Sequence, residues 1–133
     1  MNYNIPLMSD NITREDINEL VDFLQQDPIP RLTNGPKVEE FEAKWSEWLG
    51  VKHSVFVNSG SSANYMTMQL LHYKYGSCEV IVPPLTWVSD VASVLNTGHN
   101  PVFVDINLSN LSFDIEKLKR AITTKTKAIF LTH

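Results

Sequence analysis

The segment VNSGSSAN, residues 57–64, has the residue types and spacing of an anion-binding turn. A β-branched run ends here, and small residues lead into a segment with helical periodicity. Gly60 lets the backbone come close to a ligand. The N–H groups of Ser61, Ser62 and Ala63 would point out of the new helix, where its dipole favours an anion. The segment predicts a phosphate site without the lysine of a P-loop or the glycines of GxGxxG, and the alternative is a serine that only caps the helix.

Trp87 is the second candidate binding residue. It follows Pro83 and Pro84, which end the β-branched run EVIV and fix the exit of a loop, and it stands at the start of the next helical segment. A flat aromatic side chain at that place can stack on a planar ligand. The alternative is that Trp87 packs in the core or in an interface.

Two further candidates stand at the ends of predicted strands. Asp105 ends the run PVFVD and either binds a ligand or caps the next turn, with capping favoured. His133 ends KTKAIFLTH and could take part in catalysis, but the residues that would surround it are missing, so it is assigned no role. The other histidines lack metal-ligand spacing, and Cys78 has no evident activating partner.

The elements that must position these residues follow from alternating hydrophobic periods. Strand-like runs at residues 55–58, 79–82, 101–105 and 127–131 alternate with helical segments at residues 61–74, 87–97 and 114–123. The alternation predicts a doubly wound α/β fold, a mostly parallel sheet with helices on both faces. Ligands bind at the carboxyl edge of such sheets, where the candidate residues would gather.

Two helices are predicted before the first strand. The first covers residues 14–26 with Thr13 as its N-cap, and the second begins at Pro36 and stops at Gly50. The expected buried stripe of the second helix consists of Val38, Phe41, Trp45 and Trp48 or Leu49.

Composition excludes several classes of protein. A net charge of −4 and an isoelectric point of about 5.5 argue against a general nucleic-acid binder. No apolar run approaches the roughly 18 residues of a membrane span. The first residues have no signal-peptide pattern, and the single cysteine forms no internal disulfide, so we expect a soluble, cytoplasmic protein. Because the sequence stops on a predicted buried strand with no helix to cover it, we also expect the N-terminal part of a longer protein.

Several motifs in order make the sequence resemble the N-terminal portion of the DegT/StrS-type sugar-nucleotide aminotransferases, which depend on pyridoxal 5′-phosphate (PLP). The motifs are a Gly-x-x-Val-x-x-Phe-Glu pattern from Gly35, then VNSGSSAN, VPPLTWVSDVASVLNTGHNPVFVDI and KTKAIFLTH. The resemblance implies a fold-type I aminotransferase and dimers with active sites at the subunit boundary. Within that architecture we expect residues 1–35 to form an N-terminal helix and loop arm, and residues 36–133 to form part of the PLP-binding large domain.

The resemblance also implies roles for the cofactor-binding candidates. Ser61 and Ser62, in the turn that begins at Gly60, match the residues that contact the cofactor phosphate. Trp87 matches the aromatic residue that stacks on the pyridine ring. His133 matches the start of a His-x-x-Gly motif close to the cofactor, although the rest of the motif lies outside the sequence.

The loop from Arg31 through Asn34 to Gly35 resembles a segment near the substrate and the partner subunit, which makes Arg31 and Asn34 substrate-binding candidates.

The implied reaction transfers an amino group, usually from glutamate, to a keto sugar attached to a nucleotide. The lysine that forms the Schiff base with PLP lies beyond the equivalent of position 133 in the family. We therefore expect no transamination by this chain alone. A minority of the family has histidine in place of that lysine and dehydrates keto sugars, and the motif SGSSAN occurs in both branches. A non-catalytic phosphate- or nucleotide-binding module and a structural piece that assembles through its exposed last strand also remain open.

Overall fold

The computed structural model describes residues 11–132, and the chain divides into two compact units, Met1–Phe56 and Val57–His133. The helices are α1 (Arg14–Leu24), α2 (Pro36–Leu49), α3 (Gly60–Tyr75), α4 (Val88–Asn96) and α5 (Ile115–Ala121), and the strands are β1 (Glu79–Val82), β2 (Asn100–Phe103) and β3 (Thr126–Ile129). The domain boundary expected at residue 36 stays a prediction.

The two helices of the first unit begin and end at the predicted residues or close to them. Thr13 forms a capping box with Asp16, since Thr13 Oγ1 accepts the Asp16 N–H at 3.2 Å and Asp16 Oδ2 accepts the Thr13 N–H at 2.7 Å. Helix α2 has Pro36 in its first turn. It ends at Gly50, whose φ of 73° suits a residue without a side chain.

The expected buried stripe on α2 is wrong. Phe41 and Trp45 are nearly half exposed, and Trp48 is 74% exposed. These aromatic rings pack on one another along the helix instead, with ring centroids 5.8 Å apart for Phe41 and Trp45 and 4.9 Å apart for Trp45 and Trp48. Among the described residues of this unit no strand forms, so the unit has no sheet of its own to cover the stripe.

The second unit confirms the α/β fold with a mostly parallel sheet. Strand β1 lies in the middle of the order β2-β1-β3 and pairs in parallel with both neighbours. Val80 and Val82 are fully buried on one face of the sheet, together with Met68 of α3 and Val94 of α4. Their packing follows from the apolar stripes of these two helices.

The opposite face of the sheet has its own core. Ile81 points to this side, because successive side chains of a strand alternate, and it packs with Val104 and Phe113. Leu118 of α5 packs against the same cluster. Helices therefore cover both faces, as predicted.

The predicted strand at residues 55–58 is absent. Its β-branched pattern is that of a strand, but no strand of residues 11–132 pairs with it, and a strand needs a partner for its backbone hydrogen bonds. The Phe56 N–H instead donates to the Glu42 carboxylate at 2.7 Å. The other predicted strands form with small shifts of their ends.

Side-chain hydrogen bonds fix the amino end of the sheet. The Glu79 carboxylate accepts from the Thr123 hydroxyl at 2.6 Å, which ties the start of β1 to the chain entering β3. His99 is buried there, with Nδ1 3.2 Å from the Cys78 N–H nitrogen and Nε2 3.0 Å from the Met68 carbonyl oxygen. Because Nδ1 accepts from a backbone N–H, Nε2 carries the ring proton and donates to Met68. Burial raises the pKa of the Cys78 thiol, so this thiol is not activated.

Candidate functional site

The first turn of α3 carries the predicted anion-binding residues. Ser59 is the N-cap, and its Oγ accepts the Ser62 N–H at 3.1 Å. The Ser62 hydroxyl in turn donates to Asn58 Oδ1 at 2.7 Å. Ser59 is therefore the helix cap, and both the N–H and the hydroxyl of Ser62 already have acceptors inside the turn.

Three donors of this turn are left for a ligand. Within residues 11–132, the N–H groups of Gly60 and Ser61 and the Ser61 hydroxyl have no hydrogen-bond acceptor. The Ala63 N–H, which the sequence placed among the outward donors, bonds to the Ser59 carbonyl at 3.1 Å as the first bond of the helix. An open cleft of about 500 Å³ borders Ser61, lined by Val57, Asn58, Ser61, Ser62, Tyr65 and Met66.

Trp87 lies directly before α4, in the loop that follows β1. Its side chain is 72% exposed, so it does not pack in the core formed by the described residues. The Asp90 N–H bonds to the Trp87 carbonyl at 3.0 Å, which anchors the backbone of Trp87 to the first turn of the helix. The backbone of Trp87 is thus fixed, while its exposed indole ring can stack on a ligand.

A network of polar side chains joins this loop to α3, and the sequence did not predict it. Asp90 Oδ1 accepts from Asn64 Nδ2 at 2.7 Å, and Asp90 Oδ2 accepts a short hydrogen bond from the Thr86 hydroxyl. The Thr86 and Thr132 hydroxyl oxygens lie 2.5 Å apart. Since Thr86 gives its proton to Asp90, Thr132 is the donor in that pair. The residues are 26 and 46 positions apart in the pairs Asn64–Asp90 and Thr86–Thr132, so no local spacing could have shown the network.

Asp105 is not the cap of the next turn that the sequence favoured, because Asn107 caps this turn by accepting the Ser109 N–H at 2.9 Å. Asp105 Oδ1 accepts the Ile106 N–H at 2.9 Å, and its Oδ2 pairs with Lys117 Nζ at 2.7 Å. The hydrogen bond from Lys117 and that from the Ile106 backbone hold the pKa of the Asp105 carboxyl below its usual range. Asp105 is thus an ionised residue that is paired with its own cation, Lys117.

The remaining candidates are His133, Arg31 and Asn34. His133 falls outside the described residues. Arg31 and Asn34 belong to the first unit and are exposed, and Asn34 has a φ of 46°. Next to them a Cβ at Gly35 would come within 2.8 Å of the Arg31 carbonyl oxygen, so this tight loop requires glycine.

Residues 11–132 contain no group of three or more His, Cys, Asp or Glu side chains that could hold a metal ion. None of the helices formed by these residues is long and apolar enough to cross a membrane.

A parallel sheet whose carboxyl edge carries a helix N-terminus with free donors and an exposed indole is typical of α/β proteins that bind a phosphorylated ligand. The sequence model of the DegT/DnrJ/EryC1/StrS aminotransferase family matches residues 10–133, and the chain belongs to this family. The resemblance stated from its motifs is confirmed.

Individual relatives include both aminotransferases and a dehydratase. The chain is 37% identical over 131 residues to the spore coat polysaccharide biosynthesis protein SpsC of Bacillus subtilis, covering 98% of this chain and 32% of SpsC. It is 34% identical over 129 residues to the UDP-4-amino-4-deoxy-L-arabinose–oxoglutarate aminotransferase of Shewanella sediminis, covering 97% of this chain and 32% of that protein.

Among solved structures, the E. coli GDP-4-keto-6-deoxy-D-mannose-3-dehydratase with bound hydrated PLP matches with a TM-score of 0.83 and 31% identity, covering 96% of this chain and 33% of that one. The chain thus spans about a third of the length of the relatives it matches.

Proposed function

We propose that Val57–His133 forms the phosphate- and ring-binding part of a PLP site in an enzyme that transfers an amino group from glutamate to a nucleotide-linked keto sugar. The observation that carries the proposal is the set of free donors at Gly60 and Ser61, on the sheet edge that also presents the exposed Trp87. Family membership supports the reaction class. The Shewanella relative, an oxoglutarate aminotransferase by name, supports glutamate as the donor, since glutamate and oxoglutarate interconvert by amino transfer.

The residues present fit the phosphate of PLP. Two backbone N–H groups and one hydroxyl at the positive end of α3 complement a phosphate dianion. Each hydrogen bond to a charged group contributes about 1.5–3 kcal/mol. Ser62 would contact the phosphate only by turning its hydroxyl away from Asn58, so Ser61 is the stronger of the two phosphate candidates. The position of His133 close to the cofactor, which the family resemblance implies, stays a prediction.

The residues also fit the planar ring. The indole of Trp87 offers a stacking face, and an aromatic pair contributes about 0.5–1.5 kcal/mol beyond the area that it buries. PLP, when bound, supplies an electron sink for the reaction, and the described residues of the chain bind and orient it.

The described residues of the second unit include no lysine suited to proton transfer at that edge. The lysines of this unit lie in the last turn of α3, on α5 and at the amino end of β3, namely Lys74, Lys117, Lys119, Lys125 and Lys127. Lys117 and Lys119 are ion-paired with Asp105 and Glu116. We therefore propose that residues 1–133 alone bind the cofactor but do not catalyse transamination.

A dehydratase of the same family is the second candidate function. It is favoured by the likeness to the E. coli dehydratase, whose TM-score is 0.83. A phosphate turn and a stacking indole serve either reaction. The residue that occupies the lysine position of a longer protein decides between the two.

Cofactor binding is tested with the 133-residue chain and two variants. PLP and pyridoxal, which lacks the phosphate, are titrated by equilibrium dialysis. We expect PLP to bind more tightly than pyridoxal. Ser61→Ala should reduce the ratio of the two Kd values about tenfold. Trp87→Ala should weaken the binding of both ligands by about 2- to 10-fold. Trp48→Ala is the matched control, since Trp48 is as exposed as Trp87 but lies in the other unit.

Two results would contradict the proposal. Equal affinities for PLP and pyridoxal would show that the chain has no phosphate site. Equal effects of Trp87→Ala and Trp48→Ala would show that Trp87 does not stack on the ligand. Borohydride treatment that fixes PLP to a lysine of this chain would contradict the inferred lack of a catalytic base.

We further propose a homodimer or higher oligomer and a cytoplasmic location. The exposed aromatic stripe of α2 supports the first, because such surfaces favour association. The single, buried Cys78 thiol is compatible with a reducing compartment and supports the second. Light scattering that gives a monodisperse monomer at micromolar concentration would contradict the oligomer.

A further inference from the structure

Asp90 joins separate elements at the carboxyl edge of the sheet, and the proposed function does not use it. It is the third residue of α4, and its side chain bonds to Asn64 on α3 and to Thr86 in the loop after β1. Thr86 in turn bonds to Thr132, which follows β3. One carboxylate thus links a helix, a loop and the end of a strand.

The chemistry of the network requires a carboxylate. An ionised carboxylate accepts hydrogen bonds at both oxygens, and each of its two partners here is a donor. An amide at position 90 would turn its NH₂ group toward one of these donors. Facing Asn64, that NH₂ group would meet a second donor, and facing Thr86 it would force the hydroxyl to turn and accept, so the native set of hydrogen bonds requires Asp.

The network connects the two halves of the proposed cofactor site. Asn64 lies one helical turn after Ser61 and Gly60, on the same side of α3. Thr86 directly precedes Trp87, and Asp90 follows three residues later, so hydrogen bonds hold the chain on both sides of the indole.

We propose that Asp90 is a positioning residue, which sets the distance and orientation of the Trp87 ring relative to the anion-binding turn at Gly60–Ser62. This inference rests on the proposed function. Asp90 acts through Asn64 and Thr86. A ligand that has both a phosphate and a ring gains from a fixed spacing of the two subsites, because no binding free energy is lost in ordering the loop. Inorganic phosphate uses only the turn and gains nothing.

Charge alone is the competing explanation, since an acidic residue in the first turn of a helix stabilises the helix dipole. The chain supplies a matched control for it. Asp16 is likewise the third residue of its helix and accepts hydrogen bonds from a threonine, but it lies in the other unit. Asp16→Asn removes the same charge from the same helical position without touching the network.

The experiment uses the full chain with Trp45→Phe and Trp48→Phe, which leaves Trp87 as the reporter among the three tryptophans. Three quantities are measured: the time-resolved fluorescence anisotropy of Trp87 without ligand, the Kd of PLP from Trp87 quenching, and the Kd of inorganic phosphate from the amide shifts of Gly60 and Ser61. The variants are Asp90→Asn, the exchange Asn64→Asp/Asp90→Asn, and Asp16→Asn.

We expect Asp90→Asn to increase the nanosecond motion of Trp87 and to raise the Kd of PLP up to about tenfold, because binding must then also order the side chain of Trp87. The Kd of inorganic phosphate should change less than about twofold. The exchange should restore both properties, because the new amide at position 90 can donate to the new carboxylate at position 64 and still accept from Thr86. Asp16→Asn should change neither. If Asp90→Asn does not fold, Thr86→Val cuts the same link without a change of charge and should also mobilise Trp87.

The inference is overturned if Trp87 is as immobile in Asp90→Asn, or in Thr86→Val, as in the parent chain. It is also overturned if phosphate and PLP lose affinity equally, since Asp90 would then support only the turn. A parent chain that binds no PLP refutes the proposed function instead, and the anisotropy of Trp87 without ligand then decides the role of Asp90 by itself.

Discussion

Replacement of His99 tests how far a single buried side chain holds the second unit together. His99 is 4% exposed and bonds through one ring nitrogen to the Cys78 N–H and through the other to the Met68 carbonyl. His99→Phe keeps an aromatic ring at this position, somewhat larger than imidazole, but leaves the Cys78 N–H without its acceptor. An unsatisfied buried donor costs about 1–3 kcal/mol, and this sets the expected fall in the free energy of unfolding.

His99→Ala adds a cavity to the same loss. Large-to-small substitutions of well-packed aromatic side chains cost about 3–5 kcal/mol, so His99→Ala should destabilise the chain more than His99→Phe. Urea denaturation followed by circular dichroism gives both values. Hydrogen exchange at the Cys78 amide should accelerate in both variants, because that N–H loses its partner.

His53→Phe serves as the control, since His53 is exposed. A free energy of unfolding for His99→Phe within about 0.5 kcal/mol of the parent, the usual range of surface substitutions, would refute the reasoning. Unchanged exchange at Cys78 would show that the hydrogen bond to His99 does not protect this amide.

Three further predictions concern the cap, an ion pair and the core. Thr13→Ala should destabilise α1 by about 1 kcal/mol and speed amide exchange at Asp16, whereas unchanged exchange would mean that the capping box contributes nothing. Hydrogen bonds from Lys37 and Lys44 lower the pKa of Glu40 to about 2. These bonds should therefore stabilise the fold fully at a pH above 4.5, the ordinary pKa of Glu, and the stabilisation should disappear as the pH falls through 2. Carboxyl shifts in NMR measure this pKa, and a value near 4.5 would disprove the pairing in solution. Val94→Ala should cost about 1–3 kcal/mol in urea denaturation because Val94 is fully buried, while Val88→Ala, exposed on the same helix, should cost less than about 0.5 kcal/mol; equal costs would contradict the assigned core.

Much of the fold could be predicted from the sequence, because it depends on local chemistry. Strand β1 spans the predicted residues 79–82, and the N-terminus of α2 follows from Pro36, whose fixed φ suits a first helical turn. The two periods of the hydrophobic pattern also predict that helices cover both faces of the sheet.

The failures share a cause, which is that burial and pairing depend on distant partners. The residues at 55–58 have the pattern of a strand, yet the pattern cannot supply a neighbouring strand. The aromatic stripe of α2 has helical periodicity, yet the described part of its unit provides no sheet to cover it.

The candidate site divides in the same way. The free N–H of Ser61 follows from a helix N-terminus and could be predicted, whereas the N–H groups of Ser62 and Ala63, also predicted to be free, bond to Ser59. The bond between Asn64 and Asp90 could not be predicted, because the two residues are 26 positions apart and meet only through the fold.

The all-apolar interior of β1 has a consequence for how the sheet aligns during folding. Val80, Ile81 and Val82 are buried on both faces, so a slip of the strand by one residue exchanges one aliphatic side chain for another and is only weakly penalised. The correct alignment must then be selected at the strand ends. Glu79, bonded to Thr123, and Pro83, which lacks an N–H, are the residues that distinguish the native pairing from its misaligned neighbours.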